Sequence, residues 1–255
     1  MPGKLEIRNL SKTFEDKNQK LKVLSEINLD INEGEFISII GSSGGGKSTL
    51  LRIIAGLETD YEGSVLLDGV PIKKPSIDKG IVFQDHRLFP WLTVAENIGY
   101  GVSDNQKNKK EIIKDLINLV GLEGFEKSRP NQLSGGMAQR AAIARALANN
   151  PKVLLLDEPF GALDAMTRIN MQEEILKIWK LEKITIILVT HDVEEAVYLG
   201  DYVVVLTSNP GQIKKICKVD LARPRDRVNN DFVFEKRKVY YEFFEEQKVP
   251  FTYSI

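Results

Sequence analysis

Five short apolar runs, rich in β-branched residues and bounded by Gly, Asp or Asn, recur along the chain. Near-continuous apolar runs of this length are typical of strands buried on both faces of a mostly parallel sheet. The runs predict strands over residues 36–40, 80–83, 153–156, 185–189 and 202–206.

Helical patterns separate these runs. Residues 134–149 begin with Ser134, which is suited to cap a helix, and are rich in Ala, Arg and Leu. Further helices are predicted over residues 47–55, 168–180 and 192–199. Strands that alternate with helices indicate an α/β fold whose sheet is covered on both sides.

Three parts of the chain depart from this alternation. Residues 4–35 and 61–74 alternate apolar and polar positions and predict an antiparallel β subdomain. Residues 85–133 predict a helical insertion whose amphipathic helix, over 111–120, ends at Gly121. Residues 231–247 predict a last helix that ends before Pro250. We interpret residues 1–255 as a single domain.

Composition narrows the classes of function. Lys plus Arg number 35 and Asp plus Glu 36, and this balance argues against a nucleic-acid partner. With Cys217 as the one cysteine, no disulfide can form within the chain, which suits a reducing compartment. The sequence has no run of the roughly 18 apolar residues that a spanning helix needs. If the protein acts at a membrane, another protein must cross it.

A glycine-rich segment between the first predicted strand and its helix matches the P-loop pattern. Its glycines let successive N–H groups turn toward an anion, and the helix adds the positive end of its dipole. We expect Lys47 to reach the β- and γ-phosphates of a nucleotide and the Ser48 hydroxyl to bind Mg²⁺. The nucleotide-binding segment consists of Gly41, Ser42, Ser43, Gly44, Gly45, Gly46, Lys47, Ser48 and Thr49.

An acidic pair ends the third apolar run. Asp157 is placed at the carboxyl edge of the sheet, beside the P-loop, where a second Mg²⁺ ligand is needed. Glu158 follows it and is expected to act as the general base that polarises the attacking water. Together with the P-loop, this pair predicts hydrolysis of a bound nucleotide.

At this point the chain resembles the ABC ATPase family over about residues 4–210. Residues 133–137, Leu-Ser-Gly-Gly-Met, look like the family's signature motif, although Met137 stands where Gln is commonest. The resemblance implies a P-loop NTPase core with a mostly parallel sheet, the antiparallel β subdomain and the helical insertion. It also implies a head-to-tail dimer in which Ser134, Gly135 and Gly136 of one subunit contact the ATP held by the other subunit's P-loop.

Four more positions match family motifs in the expected order. Gln84 looks like the Q-loop glutamine, which contacts Mg²⁺ and water, and Asp164 resembles the D-loop aspartate at the dimer interface. His191 resembles the switch histidine that bonds the γ-phosphate, so Lys47, Gln84, Glu158 and His191 are the implied catalytic residues. Phe14 stands where the family stacks an aromatic ring on adenine.

The wording of the motifs resembles the importer branch for nitrate, sulfonate, taurine and similar small solutes. Residues 84–94 and 157–164 carry this likeness. It implies a peripheral subunit on the cytoplasmic face of the cell membrane, a separate permease bound through the helical insertion, and a substrate-binding protein. We expect no further regulatory domain after the core. An exporter or lipoprotein-release subunit and a non-transport ABC ATPase stay as alternatives.

Overall fold

In the computed structural model, residues 2–16, 19–103, 106 and 108–244 are described. Ten strands lie among them: β1 Leu5–Asp16, β2 Gln19–Ile31, β3 Phe36–Ile40, β4 Glu62–Leu67, β5 Val70–Pro71, β6 Lys79–Val82, β7 Val153–Asp157, β8 Thr185–Thr190, β9 Tyr202–Leu206 and β10 Ile213–Lys218. The α-helices are α1 Lys47–Ala55, α2 Val94–Tyr100, α3 Lys109–Leu119, α4 Gly135–Leu147, α5 Ala165–Glu182, α6 Val193–Leu199 and α7 Asn230–Phe244, and a 3₁₀ turn spans Pro130–Gln132.

The larger sheet has six strands in the order β10-β9-β3-β8-β7-β6. Its five predicted strands are parallel to one another, and only the added edge strand β10 runs antiparallel to its neighbour. The predicted fold class, an α/β core with a mostly parallel sheet, is therefore confirmed. Strand β10 was not predicted, because its lysine-rich sequence leaves it only half-buried on the edge.

The smaller sheet is antiparallel, in the order β2-β1-β4-β5. It covers one face of the larger sheet, with α1 between the two: Ile7, Leu51, Ile39 and Leu155 belong to the same buried cluster. Successive side chains of a strand point to opposite faces, so Phe36 and Ile40 join a second cluster with the helices on the other side.

The segment between β6 and α4 holds α2, α3 and the 3₁₀ turn, where a helical insertion was predicted. Thr93 and Glu96 form a reciprocal capping box at the start of α2. Helix α7 begins close to its predicted start and is described to Phe244, so the predicted end at 247 lies outside the described residues.

Candidate functional site

The register of the parallel strands places the predicted site residues side by side. Ile40, at the end of β3, is opposite Thr190 of β8, and Asp157 of β7 is opposite Val189. The residues that follow, Gly41, Glu158 and His191, therefore leave the sheet at one edge. Carboxyl ends of parallel strands are where α/β proteins bind ligands.

The P-loop connects β3 to α1 and packs closely against β2. Gly46 caps α1 with a φ of 76° and no side-chain hydrogen bond. A Cβ at this position would lie 2.9 Å from the carbonyl oxygen of Val23 and 2.6 Å from Leu24 Cδ2. Both the positive φ and the close approach of β2 require glycine here. The first N–H groups of α1 are left without a side-chain cap, which suits them to bind an anion.

Lys47 is buried, and its ammonium group donates to the carbonyl oxygens of Gly41 (2.8 Å) and Ser42 (3.1 Å). Burial lowers the pKa of Lys47, and the charges of Glu158 and Asp157 oppose that shift. A buried ammonium group whose partners are neutral carbonyl groups is suited to exchange them for phosphate oxygens. Charged phosphate oxygens form stronger hydrogen bonds with the ammonium group and so offset more of the cost of burying its charge.

Ser48 and Asp157 form the oxygen pair that could hold a metal ion. Ser48 Oγ donates to Asp157 Oδ1 at 2.8 Å. Burial raises the pKa of Asp157, against the lowering effect of the Ser48 hydrogen bond. Hydroxyl and carboxylate oxygens suit Mg²⁺, which takes few protein ligands and completes its shell with water and substrate phosphates. Among the described residues, no cluster of three or more His, Cys, Asp or Glu side chains could hold a metal ion.

Glu158 and His191 face each other across the edge of the sheet. His191 Nδ1 lies 3.2 Å from Glu158 Oε2, and the histidine side chain is 65% exposed while that of Glu158 is 22% exposed. Glu158 has a φ of 47°, an uncommon conformation for a residue other than glycine. Such strain of roughly 1–3 kcal/mol is concentrated at functional sites. Its N–H donates to Val189 at 2.9 Å, which fixes the turn after β7.

Gln84 lies two residues beyond the end of β6, rather than directly at the strand end as predicted. Its side-chain nitrogen lies next to Gly161, 3.7 Å from where a Cβ on that glycine would stand. Gln84 also lines a cleft of about 460 Å³ with Gly135, Pro159 and Ala162. Because β6 is parallel to β7, Gln84 lies at the same sheet edge as Glu158, at the start of the helical insertion.

The signature residues lie at the start of α4, away from the P-loop of their own chain. Ser134 caps the helix by accepting from the N–H of Met137 at 3.3 Å. Ser134 and Gly135 are exposed, whereas Gly136 is buried against Thr167. The two clefts that these three residues line contain none of residues 41–49. The fold of one chain therefore holds two separate segments of the kind that binds phosphate.

Asp164 is exposed and caps α5, accepting from the N–H groups of Met166 (3.1 Å) and Thr167 (3.0 Å). A side-chain hydrogen bond from Thr167 and these backbone bonds hold the pKa of Asp164 below its usual value. The cap fixes the segment 162–164 at the surface, close to Ser134–Gly136 through the contact of Gly136 with Thr167.

Phe14 is 41% exposed and lines a cleft of about 620 Å³ with Lys12, Asp60 and Tyr61. Lys12 was not predicted as a site residue. Its buried ammonium lies 4.6 Å from the centre of the Phe14 ring and pairs with Glu58 and Asp60. One face of the ring is held by this cation, which leaves a flat aromatic surface open to a base.

No helix in the part of the chain that the structure describes is long and apolar enough to cross a membrane. A family model described as ABC transporter matches residues 24–161. An uncharacterized ABC transporter ATP-binding protein of Methanocaldococcus jannaschii is 54% identical over 242 residues, covering 94% of this chain and 91% of the relative.

An aliphatic sulfonates import ATP-binding protein of Bacillus thuringiensis subsp. konkukian is 49% identical over 237 residues, covering 93% of this chain and 94% of the relative. The dimeric ATP-binding cassette MJ0796, solved in a post-hydrolysis state bound to ADP and Pi, superposes with a TM-score of 0.75 at 34% identity. The superposition covers 86% of this chain and 100% of the MJ0796 chain.

Proposed function

Because this chain belongs to the ABC transporter family and is an ATP-binding, ATP-hydrolysing subunit, we propose that it drives import of a small anionic solute, an aliphatic sulfonate or a similar compound, through a separate permease. The observation that carries the proposal is the convergence of Lys47, Ser48, Asp157, Glu158 and His191 at one sheet edge. The import function of the sulfonate relative supports the proposed direction of transport and class of solute.

At the P-loop, Lys47 exchanges its carbonyl partners for the β- and γ-phosphates of ATP. Ser48 and Asp157 are the residues that would hold Mg²⁺, which neutralises charge on the phosphates when it is bound. Gln84 is the proposed side chain that contacts the bound Mg²⁺ and the attacking water. Phe14 takes the adenine ring on its open face.

Glu158 is the proposed general base, because its carboxylate lies at the sheet edge and is partly exposed to incoming water. His191 lies 3.2 Å from that carboxylate and is the proposed partner of the γ-phosphate. Ser134, Gly135, Gly136 and Asp164 act on the ATP of the other subunit. Two ATP molecules then close a homodimer, since each favours the state in which both halves of its site are present.

The variant Glu158→Gln tests this assignment. It keeps the size of the side chain and removes the basic carboxylate, so we expect ATP binding to persist while turnover falls at least about a hundredfold. The protein should then accumulate as an ATP-bound dimer in size-exclusion chromatography with light scattering. Turnover close to that of the wild type would remove Glu158 from the role of base.

The permease is proposed to dock beside α2. Phe89, Trp91 and Tyr100 form an aromatic cluster there, with ring centres 5.5 Å and 4.8 Å from that of Phe89. Trp91 is 67% exposed and Tyr100 is 70% exposed, an unusual amount of aromatic surface for a region without a function. Arg145 of α4 donates to the carbonyl groups of His86 and Arg87, which ties this surface to the segment after Gln84.

A pull-down of the tagged chain from native membranes in mild detergent tests the transport function. We expect a multi-span permease to co-purify with the wild type and to be lost with Trp91→Ala. Ile77→Ala is the matched control, because Ile77 is equally exposed, at 69%, but precedes β6 instead of following it. ATP turnover of the isolated chain should be the same in both variants.

Uptake of a radiolabelled sulfonate by cells that lack the native chain tests the cargo. The wild-type chain should restore uptake and Glu158→Gln should not. If soluble complexes alone co-purify, and uptake of the anion is independent of this chain, the importer function is wrong.

A further inference from the structure

The last residue of β8 braces the backbone on both sides of His191. Thr190 Oγ1 donates to Glu195 Oε2 at 2.6 Å and accepts from the N–H of Asp192 at 3.0 Å. Asp192 in turn caps α6 through the N–H groups of Glu194 and Glu195. His191 is thus flanked by two residues that these hydrogen bonds hold in place, which restricts the positions open to its side chain.

Glu195 is the buried group on which this arrangement depends. Only 7% of the residue is exposed, and its second carboxylate oxygen accepts from Gln172 Nε2 at 3.2 Å. Burial raises the pKa of Glu195, and the Thr190 hydrogen bond opposes the shift. A buried carboxyl group is costly unless its oxygens are bonded, so the position of Glu195 is set by these partners.

Arg168 connects Glu195 to the segment that contains Asp164. One end of its guanidinium group donates to the carbonyl oxygen of Leu163 at 3.0 Å. Its Nε lies 3.8 Å from Glu195 Oε1 and is buried with no hydrogen-bond partner among the residues that the structure describes. A shift of about 1 Å would close this gap to a charge-assisted hydrogen bond, which normally measures about 2.7–2.9 Å.

We propose that Glu195 is a positioning residue for ATP hydrolysis: it fixes His191 through the Thr190 hydroxyl and joins that histidine to the 162–164 segment through Arg168. Movement of Leu163 and Asp164 when a second subunit arrives would reach Glu195 through the Arg168 contact. The proposal rests on the proposed role of His191, and it adds a path by which contact between subunits sets the geometry at Glu158 and His191.

Kinetics of three variants test the proposal. Glu195→Gln keeps the size of the side chain without its charge, and Thr190→Val keeps the shape without the hydroxyl. For both we expect kcat to fall between about tenfold and a hundredfold, while Kd for ATP changes less than about twofold. Thr190→Ser keeps the hydroxyl, so its kcat should stay within about threefold of the wild type.

A second readout separates positioning from a general loss of stability. The chain has two histidines, His86 and His191, so the imidazole region of a ¹H–¹³C spectrum is simple, and His86→Gln assigns it. We expect the His191 signal to move in Thr190→Val and Glu195→Gln and to stay in place in Thr190→Ser. A merely structural role would lower the melting temperature without changing kcat per folded chain or the His191 signal, and that result would overturn the proposal.

The variant His191→Ala separates the role proposed for His191 from the positioning role proposed for Glu195. If it hydrolyses ATP as fast as the wild type, the role proposed for His191 fails, and the positioning role of Glu195 fails with it. If His191→Ala is inactive while Glu195→Gln and Thr190→Val keep wild-type kcat, only the positioning role is refuted.

Discussion

Gly135→Ala is expected to leave the isolated subunit intact while abolishing hydrolysis. A Cβ at Gly135 would meet Leu163 Cδ2 at 3.7 Å, an ordinary van der Waals contact, and no other atom closely enough to strain the fold. Gly135 is the first residue of α4, and its φ is not among the positive ones. Alanine should therefore change the free energy of unfolding by at most about 1 kcal/mol, in the stabilising direction, because it restricts the unfolded chain.

The effect on turnover follows from the proposed place of Gly135 in the dimer. Gly135 is exposed at the start of α4, where it would meet the γ-phosphate bound by the other subunit. An added methyl group would hold that phosphate away from the helix N–H groups. Loss of one such donor typically costs about a hundredfold to a thousandfold in kcat. ATP binding to the P-loop of the same chain should not change.

Three measurements check this prediction: urea unfolding, ATP binding by isothermal titration calorimetry, and phosphate release. Gly136→Ala is the control for steric damage, because a Cβ there would lie 2.5 Å from Thr167 Cγ2 and should destabilise the fold by about 1–3 kcal/mol. Gly135→Ala with wild-type turnover, or with a stability loss equal to that of Gly136→Ala, would refute the reasoning.

Two further variants test the nucleotide site. Asp157→Asn should abolish hydrolysis and raise the melting temperature of the nucleotide-free protein. Burial raises the pKa of the Asp157 carboxyl group in the folded state. The folded state is therefore destabilised as pH rises from about 3.9, the pKa in the unfolded chain, through the raised pKa of the folded state. The gain should therefore be larger at pH 8 than near pH 4 by differential scanning fluorimetry, and a gain independent of pH would contradict this. Phe14→Ala should raise Kd for ATP about tenfold, since stacking on a base contributes roughly 1–3 kcal/mol. Phe14→Tyr keeps an aromatic ring and should bind ATP as the wild type does. An unchanged Kd for Phe14→Ala would mean that the ring does not stack on adenine.

The sequence predicted those parts of the molecule whose pattern is local. The five parallel strands are continuous apolar runs, and residues such as Asp157 and His191 end those runs, so the geometry of a parallel sheet brings them to one edge. Strand β10 escaped because an exposed edge strand has no apolar run. Helix α2 is short and carried one usable signal, the Thr93–Glu96 capping box.

Contacts between distant segments could not be predicted in the same way. Lys12 and Glu195 are charged residues, which usually lie at the surface, yet both are buried against partners far away in the sequence or on other elements. Nothing in the sequence near Glu195 indicates Gln172 and Arg168, which approach it from α5. Such networks depend on how helices pack on the sheet, and periodicity alone does not specify that packing.

Mixing two inactive variants tests the central claim, that each ATP site is completed by the partner subunit. Lys47→Ala lacks a working P-loop and Gly135→Ala lacks a working signature segment, so each homodimer should be inactive. In a mixed dimer one site carries both changes and the other carries neither. Random pairing in equal amounts should therefore restore about a quarter of the wild-type phosphate release. A mixture that stays as inactive as its two components would contradict the account.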